Sequence, residues 1–358
     1  MVQNEIIVFT DNMGNCGISR VLSELTDVWV QRGHHVTVAY IEKKDEKSSD
    51  YLWRKDIEMI SIPVGQGFFR IYCDLVKAYK RILKAKPNAV AVSLSVMTNF
   101  ALGACAPFVK NKIVISDRND PRRRPAGRVK QYVRDLAFRQ ADVLILQTED
   151  VKEYYQKRIR RTGVVIPNPI NSDMPAVGEY DRERRKAIVT ASRLNKQKNL
   201  GLLIRAFARL AVEYPSYTLE IYGRGEEENT MKQLVQNLKL ENRVHFMGFS
   251  NHLYEDIMDC AMYVCSSDYE GISNSLLEAL GLGIPTISTD CPVGGSRLLI
   301  ENNVNGVLID VGDENALYQQ MKRLIDNPQF AYELSRNAVK VREKYNVQQI
   351  AERWLENF

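Results

Sequence analysis

Two glutamates, Glu270 and Glu278, lie on either side of a small polar run at 271–275, just before an apolar helical stretch. Carboxylates accept hydrogen bonds from the donor groups of a ligand, so two of them flanking small polar residues could clamp a substrate. Ser275 with Glu278 three residues later also has the spacing of a helix capping box, which gives Glu278 a purely structural explanation. Glu270 has no such explanation, because an uncompensated carboxylate after a buried strand is costly. We therefore expect Glu270 to contact a ligand.

A second candidate group consists of Arg193, Lys196 and Lys198, in the polar stretch TASRLNKQKNL at 190–200. These bases come between the end of a predicted strand and the start of a predicted helix. A cation about 4 Å from a phosphate oxygen gains roughly 1 to 4 kcal/mol, depending on the local dielectric constant. The pattern therefore favours two of them as partners of a diphosphate, whereas a solvated loop is the alternative.

Glycine-containing turns follow two other predicted strands. In TDNMGNCGISRVL, Gly14 and Gly17 separate a strand from a helix, so that backbone amides can approach a phosphate. This turn lacks the Gly-x-Gly-x-x-Gly spacing of a dinucleotide site. In EIYGRGEEEN, Gly223 and Gly225 follow a strand in the same way. A tight turn is the alternative explanation for both.

Neither the cysteines nor the histidines form a metal-binding pattern. The six cysteines include no Cys-x-x-Cys pair, the four histidines are scattered, and no Asp-x-Asp pair is present to hold Mg²⁺ beside a diphosphate. We expect reduced structural thiols, no metal and no cofactor. No apolar run approaches the roughly 20 residues of a membrane helix, and the N-terminal stretch lacks a secretory signal. We therefore expect a cytoplasmic protein.

The net charge of +5 is unevenly distributed along the chain. The segment 117–139 carries eight bases against three acids, and the window 151–161 adds five bases against one acid. Such a skew favours an anionic partner, which can be a lipid surface, a phosphorylated acceptor or nucleic acid. A solvated helix face is the alternative. No clear aromatic stacking pattern accompanies the bases, so we do not expect a nucleic-acid site.

The scaffold for these residues is an alternation of short β-branched runs with stretches of helical periodicity. This rhythm predicts parallel sheets covered by helices on both faces. The prolines of the segment 166–175 interrupt the rhythm and predict a domain boundary. The predicted strands are 6–9, 36–40, 58–62, 89–94, 112–115, 143–146 and 163–166 before the boundary, and 187–191, 218–222, 243–247, 262–265, 285–289 and 306–309 after it.

We therefore expect an α/β protein with two Rossmann-like, doubly wound parallel-sheet domains facing a cleft, the first over 1–170 and the second over 171–344. Ligands of such sheets bind at the carboxyl ends of the strands. The apolar stripe of Val347, Ile350 and Trp354 predicts that the C-terminal helix, in 345–358, crosses back to the first domain. Gly33 stands where a helix C-terminal glycine belongs.

Taken together, these segments resemble the retaining glycosyltransferases of family 4, which have the GT-B fold, and the resemblance covers nearly the whole chain. EGISNSLLEA is similar to that family's Glu-x7-Glu signature, and SRLNKQKN to its Arg…Lys diphosphate element. GNCGISRVL is similar to its amino-terminal glycine loop, IPNPI to the end of its first domain and VHFMGF to its base-side strand.

The resemblance implies a role for each candidate residue. Arg193 and Lys198 are implied to hold the diphosphate of a donor, and Glu270 to receive hydroxyl groups of the transferred sugar. Glu278 is the implied ligand of the ribose hydroxyls. The remaining implied donor contacts are Gly17 from the first domain, Gly225, Gly248 beside the base, Gly271, Ile272, Ser273, Asn274 and Ser275.

One segment departs from the family's pattern. Many members carry a histidine near the reacting centre after a strand of the first domain, where this chain has ISDRNDPRRRP. That segment resembles a polysaccharide-assembly branch with a Ser-Glu-Arg-Asn-Asp-Pro-like motif, which implies that Asp117, Arg118 and Asn119 lie on the acceptor side. The alternative is that Asp117 and Arg118 pair with each other and only shape the loop.

The resemblance implies a metal-independent, retaining hexosyl- or N-acetylhexosaminyltransferase. The expected donor is a UDP-sugar. The expected acceptor is a saccharide, free or linked to a polyprenyl phosphate, in the synthesis of capsule or exopolysaccharide, so that the enzyme works at the inner face of the plasma membrane as a peripheral protein. Front-face displacement is the expected route, while double displacement through a carboxylate stays open. Alternatives are a catalytically silent partner subunit and a nucleotide-sugar epimerase on the same fold.

Overall fold

A computed structural model of the protein describes residues 5–11, 13–14, 17–42, 53–177 and 184–358. The chain divides into two compact units, unit 1 (Met1–Pro169 with Tyr345–Phe358) and unit 2 (Ile170–Lys344). Each unit contains one parallel sheet, and in the described residues a helix lies between all successive strands except β2 and β3. The predicted fold class, two Rossmann-like α/β domains, is confirmed.

The sheet of unit 1 has seven strands in the order β3-β2-β1-β4-β5-β6-β7, and each strand is parallel to its neighbours. The strands are β1 (Glu5–Thr10), β2 (His35–Ile41), β3 (Glu58–Ile62), β4 (Val90–Ser93), β5 (Ile113–Asp117), β6 (Val143–Leu146) and β7 (Val164–Val165). The helices between them are α1 (Gly17–Gln31), α2 (Phe68–Ala85), α3 (Val96–Cys105), α4 (Arg128–Arg139) and α5 (Glu149–Ile159), with a 3-10 turn at Ala106–Phe108.

The sheet of unit 2 has six strands in the order β10-β9-β8-β11-β12-β13, again all parallel. The strands are β8 (Arg185–Ala191), β9 (Thr218–Tyr222), β10 (Val244–Gly248), β11 (Cys260–Cys265), β12 (Thr286–Thr289) and β13 (Val307–Ile309). The helices are α6 (Leu200–Glu213), α7 (Glu228–Asn237), α8 (Leu253–Ile257), α9 (Asn274–Gly281), α10 (Gly295–Leu299), α11 (Glu314–Asp326), α12 (Pro328–Ala338) and α13 (Val341–Lys344), with a 3-10 turn at Lys196–Lys198.

The strands form where the sequence predicts them, because a parallel sheet covered on both faces selects continuous apolar runs. In β1, the four residues at 6–9 are fully buried, and in β6 the three at 144–146 are at most 1% exposed. Each of the thirteen predicted strands overlaps a strand of the structure. Gly33 ends α1 as predicted: its φ is 86°, and the His34 amide bonds to the Trp29 carbonyl at 3.0 Å.

The last helix, α14 (Val347–Leu355), belongs to the core of unit 1. Its Trp354 lies 6.0 Å from Trp29 of α1, measured between ring centroids. Trp29 also donates from its indole nitrogen to the Ala351 carbonyl at 3.3 Å. Both tryptophans are fully buried, so the helix contributes apolar surface that α1 would otherwise expose to water.

The described cysteines, Cys73, Cys105, Cys260, Cys265 and Cys291, form no disulfide with one another, and all but Cys73 are buried; Cys16 lies outside the described residues. Among the helices that the structure describes, none is both long and apolar enough to cross a membrane.

Candidate active site

Four loops of unit 2 meet at the carboxyl edge of its sheet, because parallel strands all end at the same edge. The sequence candidates Arg193 and Lys198 lie in the β8 loop (192–199), and Glu270 lies in the β11 loop (266–273). The strands β8 and β11 are neighbours in the sheet, which brings these two loops side by side although about seventy residues separate them in the chain. The other two are the β9 loop (223–227) and the β12 loop (290–294).

Hydrogen bonds fasten the β8 loop to the β11 loop. The Gln197 side-chain amide donates to the Tyr269 carbonyl at 2.9 Å, and the Asp268 amide donates to the Gln197 carbonyl at 2.8 Å. The Asn199 side-chain amide donates to the Asp268 carboxylate at 2.7 Å. These contacts fix the relative position of the two loops, and nothing in the local sequence pattern of either loop predicts them.

Lys198 and Glu270 form an ion pair at this junction. Their side chains are only 15% and 14% exposed, and the Ser267 hydroxyl lies 3.4 Å from the same Glu270 oxygen. Burial, the largest single effect, disfavours the ammonium, but the attraction and hydrogen bond of Glu270, with smaller contributions from Cys265 and Tyr263, together raise the pKa of Lys198 above its ordinary value. Lys198 is therefore charged at neutral pH, and the costly isolated carboxylate expected at Glu270 is compensated within the protein.

Arg193 differs from Lys198 in its surroundings. It lies at the start of the same loop, but its side chain is exposed. Within the described parts of the chain, its guanidinium has no hydrogen-bond or ion-pair partner, and only its carbonyl is engaged, by the Asn195 amide at 2.9 Å. The loop thus offers one partly covered ammonium and one guanidinium whose donors are all available.

The glycines after β9 are explained by close packing of backbones. A Cβ atom on Gly223 would lie 1.9 Å from the Ser192 carbonyl oxygen, and one on Gly225 would lie 2.2 Å from the Leu194 carbonyl oxygen. Gly223 also donates its amide to the Gly248 carbonyl at 2.7 Å. Gly223 and Gly225 are therefore needed to let the loops approach each other, whatever further contact they make with a ligand. Gly248 is explained by its backbone conformation instead, because its φ of 73° is in the left-handed region that favours glycine.

The segment from Ser273 to Glu278 forms the start of α9, and the predicted capping box is wrong. The helix begins at Asn274 with Ser273 as its N-cap, so Ser275 lies inside the first turn. The Ser275 hydroxyl is occupied by Tyr263, whose hydroxyl lies 2.9 Å away. Glu278 lies on the buried face of α9 and is 4% exposed. A capping box therefore does not explain the glutamate at this position.

Tyr263 is a site residue that sequence reasoning missed. It is fully enclosed in β11, and its hydroxyl lies 3.1 Å from the Ala191 carbonyl at the end of β8 as well as beside Ser275. Burial raises its pKa, so it remains a neutral phenol. It ties the end of β8 to the first turn of α9, but its place in an apolar strand gave no signal of this role.

Gly295 is the second residue that the sequence did not reveal. It opens α10, and a Cβ atom there would lie 1.7 Å from the Gly271 carbonyl oxygen and 3.2 Å from the Ile272 amide nitrogen. Both contacts are to backbone, which cannot rotate away as a side chain can. Gly295 therefore allows the turn between Glu270 and α9 to lie directly on α10.

We expect Gly295→Ala to lower the free energy of unfolding by about 1–3 kcal/mol, the usual cost of overpacking, and to reduce catalytic activity about tenfold by displacing Gly271. Urea denaturation and a transfer assay measure the two effects. Gly201→Ala is the matched control, because the nearest atom to its new Cβ is the mobile end of the Arg205 side chain, at 3.1 Å. Unchanged stability and activity in Gly295→Ala would contradict this packing.

The remaining sequence candidates lie in unit 1, at the carboxyl edge of its own sheet. Gly17 is the exposed first residue of α1; the neighbouring residues 15 and 16 lie outside the described residues. Asp117 ends β5 and accepts from the Tyr155 hydroxyl, and the Asn119 amide lies 3.3 Å from its other oxygen. Burial raises the pKa of Asp117, and the Tyr155 hydrogen bond opposes that rise.

Arg118 does not pair with Asp117, so the predicted alternative of a mutual ion pair is wrong. Its Nη1 donates to Asn168 at 2.9 Å, and the guanidinium lies 5.1 Å from the ring centroid of Trp354. Its Nε and Nη2 are buried and have no hydrogen-bond partner among the described residues. Burial lowers the pKa of Arg118 to about 9, which still leaves the group charged at neutral pH.

The basic segment 117–139 has structural and exposed members. Arg134 is 2% exposed, pairs with Asp135 at 2.8 Å and donates to the Arg124 carbonyl at 2.9 Å, so it holds the preceding loop in place. Six of the eight bases are exposed, namely Arg122, Arg123, Arg124, Arg128, Lys130 and Arg139.

The window 151–161 is largely neutralised by neighbouring acids. Lys152 pairs with Glu149 at 3.0 Å and Lys157 with Glu153 at 2.8 Å, and Arg158 pairs with Asp135 of α4. These contacts favour the solvated, ion-paired alternative for this window. The positive charge available to a partner therefore comes mainly from 122–139.

Two domain models match the chain. One, described as Glycosyltransferase Family 4, matches 16–174, and the other, described as Glycosyl transferases group 1, matches 178–341. The first coincides with most of unit 1 and the second with most of unit 2.

Two curated proteins of Campylobacter jejuni are similar to this chain. The N-acetylgalactosamine-N,N'-diacetylbacillosaminyl-diphospho-undecaprenol 4-alpha-N-acetylgalactosaminyltransferase is 29% identical over 60% of this chain and 59% of its own length. The GalNAc-alpha-(1->4)-GalNAc-alpha-(1->3)-diNAcBac-PP-undecaprenol alpha-1,4-N-acetyl-D-galactosaminyltransferase is 23% identical over 99% of this chain and 98% of its own length. The chain spans only 59% to 62% of the length of three curated relatives, one of which is the first of these two Campylobacter proteins.

A solved structure of HepE from Anabaena in complex with UDP-glucose is similar in fold. It superposes with a TM-score of 0.81 at 18% identity and covers 99% of this chain and 98% of the HepE chain. At this level of identity, the similarity establishes the fold of the two units.

Proposed function

This chain belongs to the glycosyltransferases, with a family 4 domain followed by a group 1 domain, and on that premise we propose that it transfers a hexose or N-acetylhexosamine from a UDP-sugar to a lipid-linked saccharide. The observation that carries the proposal is the pairing of a partly buried ammonium, Lys198, with a carboxylate, Glu270, in a loop that also carries the unpaired guanidinium of Arg193. This edge of the sheet combines cations for a diphosphate with an acceptor for sugar hydroxyls.

The cations act on the leaving group. Breaking the bond between the anomeric carbon and the diphosphate places negative charge on phosphate, and charged donors aimed at that oxygen lower the barrier. Arg193 offers a planar fork for two phosphate oxygens, whereas Lys198 offers a point charge in a less solvated position. We propose that these two groups make a metal ion unnecessary. The dipole of α9, which begins at Asn274, adds positive potential at its N-terminus.

The carboxylates act on the two sugars of the donor. We propose that Glu270 receives hydroxyl groups of the transferred sugar, with the amides of 271–274 close to sugar and phosphate. We propose that Glu278 receives the ribose hydroxyls, as the resemblance to family 4 implies. The turn at Gly248 and the neighbouring Gly225 border the base and the diphosphate, and Gly17 of unit 1 is the remaining donor contact that the resemblance to family 4 implies.

Retention of the anomeric configuration is also part of the proposal. The two Campylobacter relatives are named as alpha-transferases, in agreement with the retaining chemistry that the family resemblance implies. Because Lys198 already compensates Glu270, that carboxylate is a weakened nucleophile, which favours front-face displacement over a covalent intermediate. In this route the departing phosphate accepts the proton of the acceptor hydroxyl.

We propose a saccharide on a polyprenyl diphosphate as the acceptor, in the assembly of a surface polysaccharide. The support comes from the same two relatives, whose names give undecaprenol-linked saccharides as their acceptors. Asp117, Arg118 and Asn119 are the proposed acceptor-side residues in unit 1. The exposed bases of 122–139 are proposed to hold the enzyme on an anionic membrane surface from the cytoplasmic side.

Thermal unfolding with UDP tests the donor site. At a UDP concentration a hundred times the dissociation constant, we expect stabilisation by about 2.7 kcal/mol, which raises the melting temperature by several degrees. Cytidine monophosphate, which lacks a diphosphate, is the control and should have little effect. A screen of UDP-sugars by hydrolysis and transfer then identifies the donor. UDP binding without turnover of any sugar nucleotide would indicate a silent subunit, and the absence of any shift with UDP would contradict the proposed donor.

A further inference from the structure

The helix α4 has two apolar faces, and one of them is exposed. Ala137 and Phe138 are buried in unit 1. On the other side lie four large apolar side chains that are 77%, 58%, 40% and 40% exposed: Val129, Tyr132, Val133 and Leu136. Their spacing of three, four and seven residues places them on one side of the helix. We refer to these four residues as the α4 apolar face.

A continuous apolar stripe of this kind requires an explanation that a single exposed residue does not. Isolated exposed apolar side chains are normal on soluble proteins, whereas contiguous ones mark contact with another apolar surface. Elsewhere in the chain, Val212 is 82% exposed on α6. Among the described residues of that turn of the helix, no other large apolar side chain is exposed. Val212 is therefore an example of an isolated exposed apolar residue, in contrast to the α4 apolar face.

Basic residues lie on both flanks of the α4 apolar face. At 100° per residue, Arg128 and Arg139 fall on one side of the stripe and Lys130 on the other, and the exposed bases at 122–124 precede the helix. Arg124, Arg128 and Arg139 form no ion pair within the part of the chain that the structure describes. This differs from the window 151–161, in which three of the five bases are paired with acids.

We propose that the α4 apolar face inserts into the interfacial layer of an anionic lipid bilayer, with the flanking bases contacting lipid phosphates. The inference rests on the membrane association proposed above and assigns it to a particular helix face. A helix of 12 residues is too short to span a bilayer, but an apolar face with basic flanks suits one lying in the interface plane. Tyr132 fits this position because its ring is apolar and its hydroxyl polar.

A second copy of the chain fits this surface less well. A two-fold contact would place the same patch against itself, so the unpaired arginines of both copies would face each other. Four side chains also provide much less area than the roughly 1,200 Å² of a stable protein interface. Anionic lipid headgroups complement the positive charge of the flanking bases, and acyl chains complement the α4 apolar face.

Co-sedimentation with vesicles tests the inference. The probes are vesicles of phosphatidylcholine alone and of phosphatidylcholine with phosphatidylglycerol in equal parts. Val133→Ser combined with Leu136→Gln removes apolar surface at constant charge, and we expect it to weaken binding to the anionic vesicles about tenfold or more. Arg128→Gln combined with Arg139→Gln should weaken it about fivefold for each base removed, with a reduced salt dependence.

Val212→Ser is the matched control and should bind like the wild type. All variants should hydrolyse the donor in the absence of vesicles as the wild type does, because none of these residues lies in the proposed donor site. If the variant with Val133→Ser and Leu136→Gln binds the anionic vesicles as tightly as the wild type, the inference is overturned, while membrane association through charge stands. If the wild type binds neither vesicle but hydrolyses the donor, both membrane proposals fail and the glycosyltransferase assignment stands. A third outcome is that the wild type binds no vesicles but sediments as a dimer, and that the variant with Val133→Ser and Leu136→Gln is a monomer. This outcome would overturn the inference and assign the α4 apolar face to a second copy of the chain.

Discussion

Lys198→Ala is expected to lower kcat for sugar transfer by about a hundredfold or more, since removal of one charged donor from a developing anion costs at least this much. The Lys198 ammonium is only 15% exposed, so water screens it less than an ordinary surface lysine. Arg193→Ala should have an effect in the same direction. Initial rates with saturating donor and acceptor provide the measurement, and far-UV circular dichroism checks that the variants are folded.

Lys196 provides a matched control for this experiment. It lies in the same 3-10 turn as Lys198, but its side chain is exposed. Lys196→Ala should retain nearly full activity, because a solvated cation at this position adds little to the field at the leaving group. Equal losses in Lys196→Ala and Lys198→Ala, or near wild-type turnover in Lys198→Ala, would mean that the β8 loop does not stabilise the leaving group.

Glu270→Gln is expected to reduce transfer about a hundredfold while changing the affinity for UDP much less. The amide keeps the shape of the side chain but loses the charge that accepts hydrogen bonds from sugar hydroxyls, and charged acceptors form the stronger bonds. UDP contains no transferred sugar, so its binding should not report this loss. Calorimetric titration with UDP and steady-state transfer kinetics separate the two effects.

The same variant should change the pH dependence of the reaction. In the wild type, Glu270 raises the pKa of Lys198 against the opposing effect of burial. Without that carboxylate, the main effect that opposes burial is lost and the pKa of Lys198 falls, so the ammonium loses its proton at a lower pH. The alkaline limb of the rate profile should therefore move to lower pH in Glu270→Gln. A profile that keeps its wild-type position, with wild-type rates, would show that Glu270 has neither role.

The sheets could be predicted from the sequence almost completely, because burial on both faces leaves a local record in continuous apolar runs such as 6–9 and 143–146. The candidate residues of unit 2 could be grouped for a related reason: the ends of neighbouring parallel strands meet at one edge, so Lys198 and Glu270 could be expected to lie close together. The ion pair between them could not be predicted from the sequence and is seen only in the structure.

Contacts between distant segments could not be predicted. The capping box at Ser275 follows a sound local rule, but it fails because Tyr263 of the preceding strand engages the Ser275 hydroxyl. The ion pair between Asp117 and Arg118, considered as an alternative to an acceptor-side role, fails in the same way, because each side chain has a partner far away in the sequence, Tyr155 and Asn168. Short spacing predicts that a contact is possible, and competition with tertiary partners decides whether it forms.

The central claim is that the diphosphate of a donor is held by Arg193 and Lys198 at the carboxyl edge of the sheet in unit 2. A crystal structure with bound UDP tests it most directly. The account predicts phosphate oxygens within hydrogen-bond distance of the Arg193 guanidinium and of Lys198 Nζ, and ribose hydroxyls on Glu278. UDP bound elsewhere, with Lys198 still paired only to Glu270 and Arg193 directed into solvent, would contradict it.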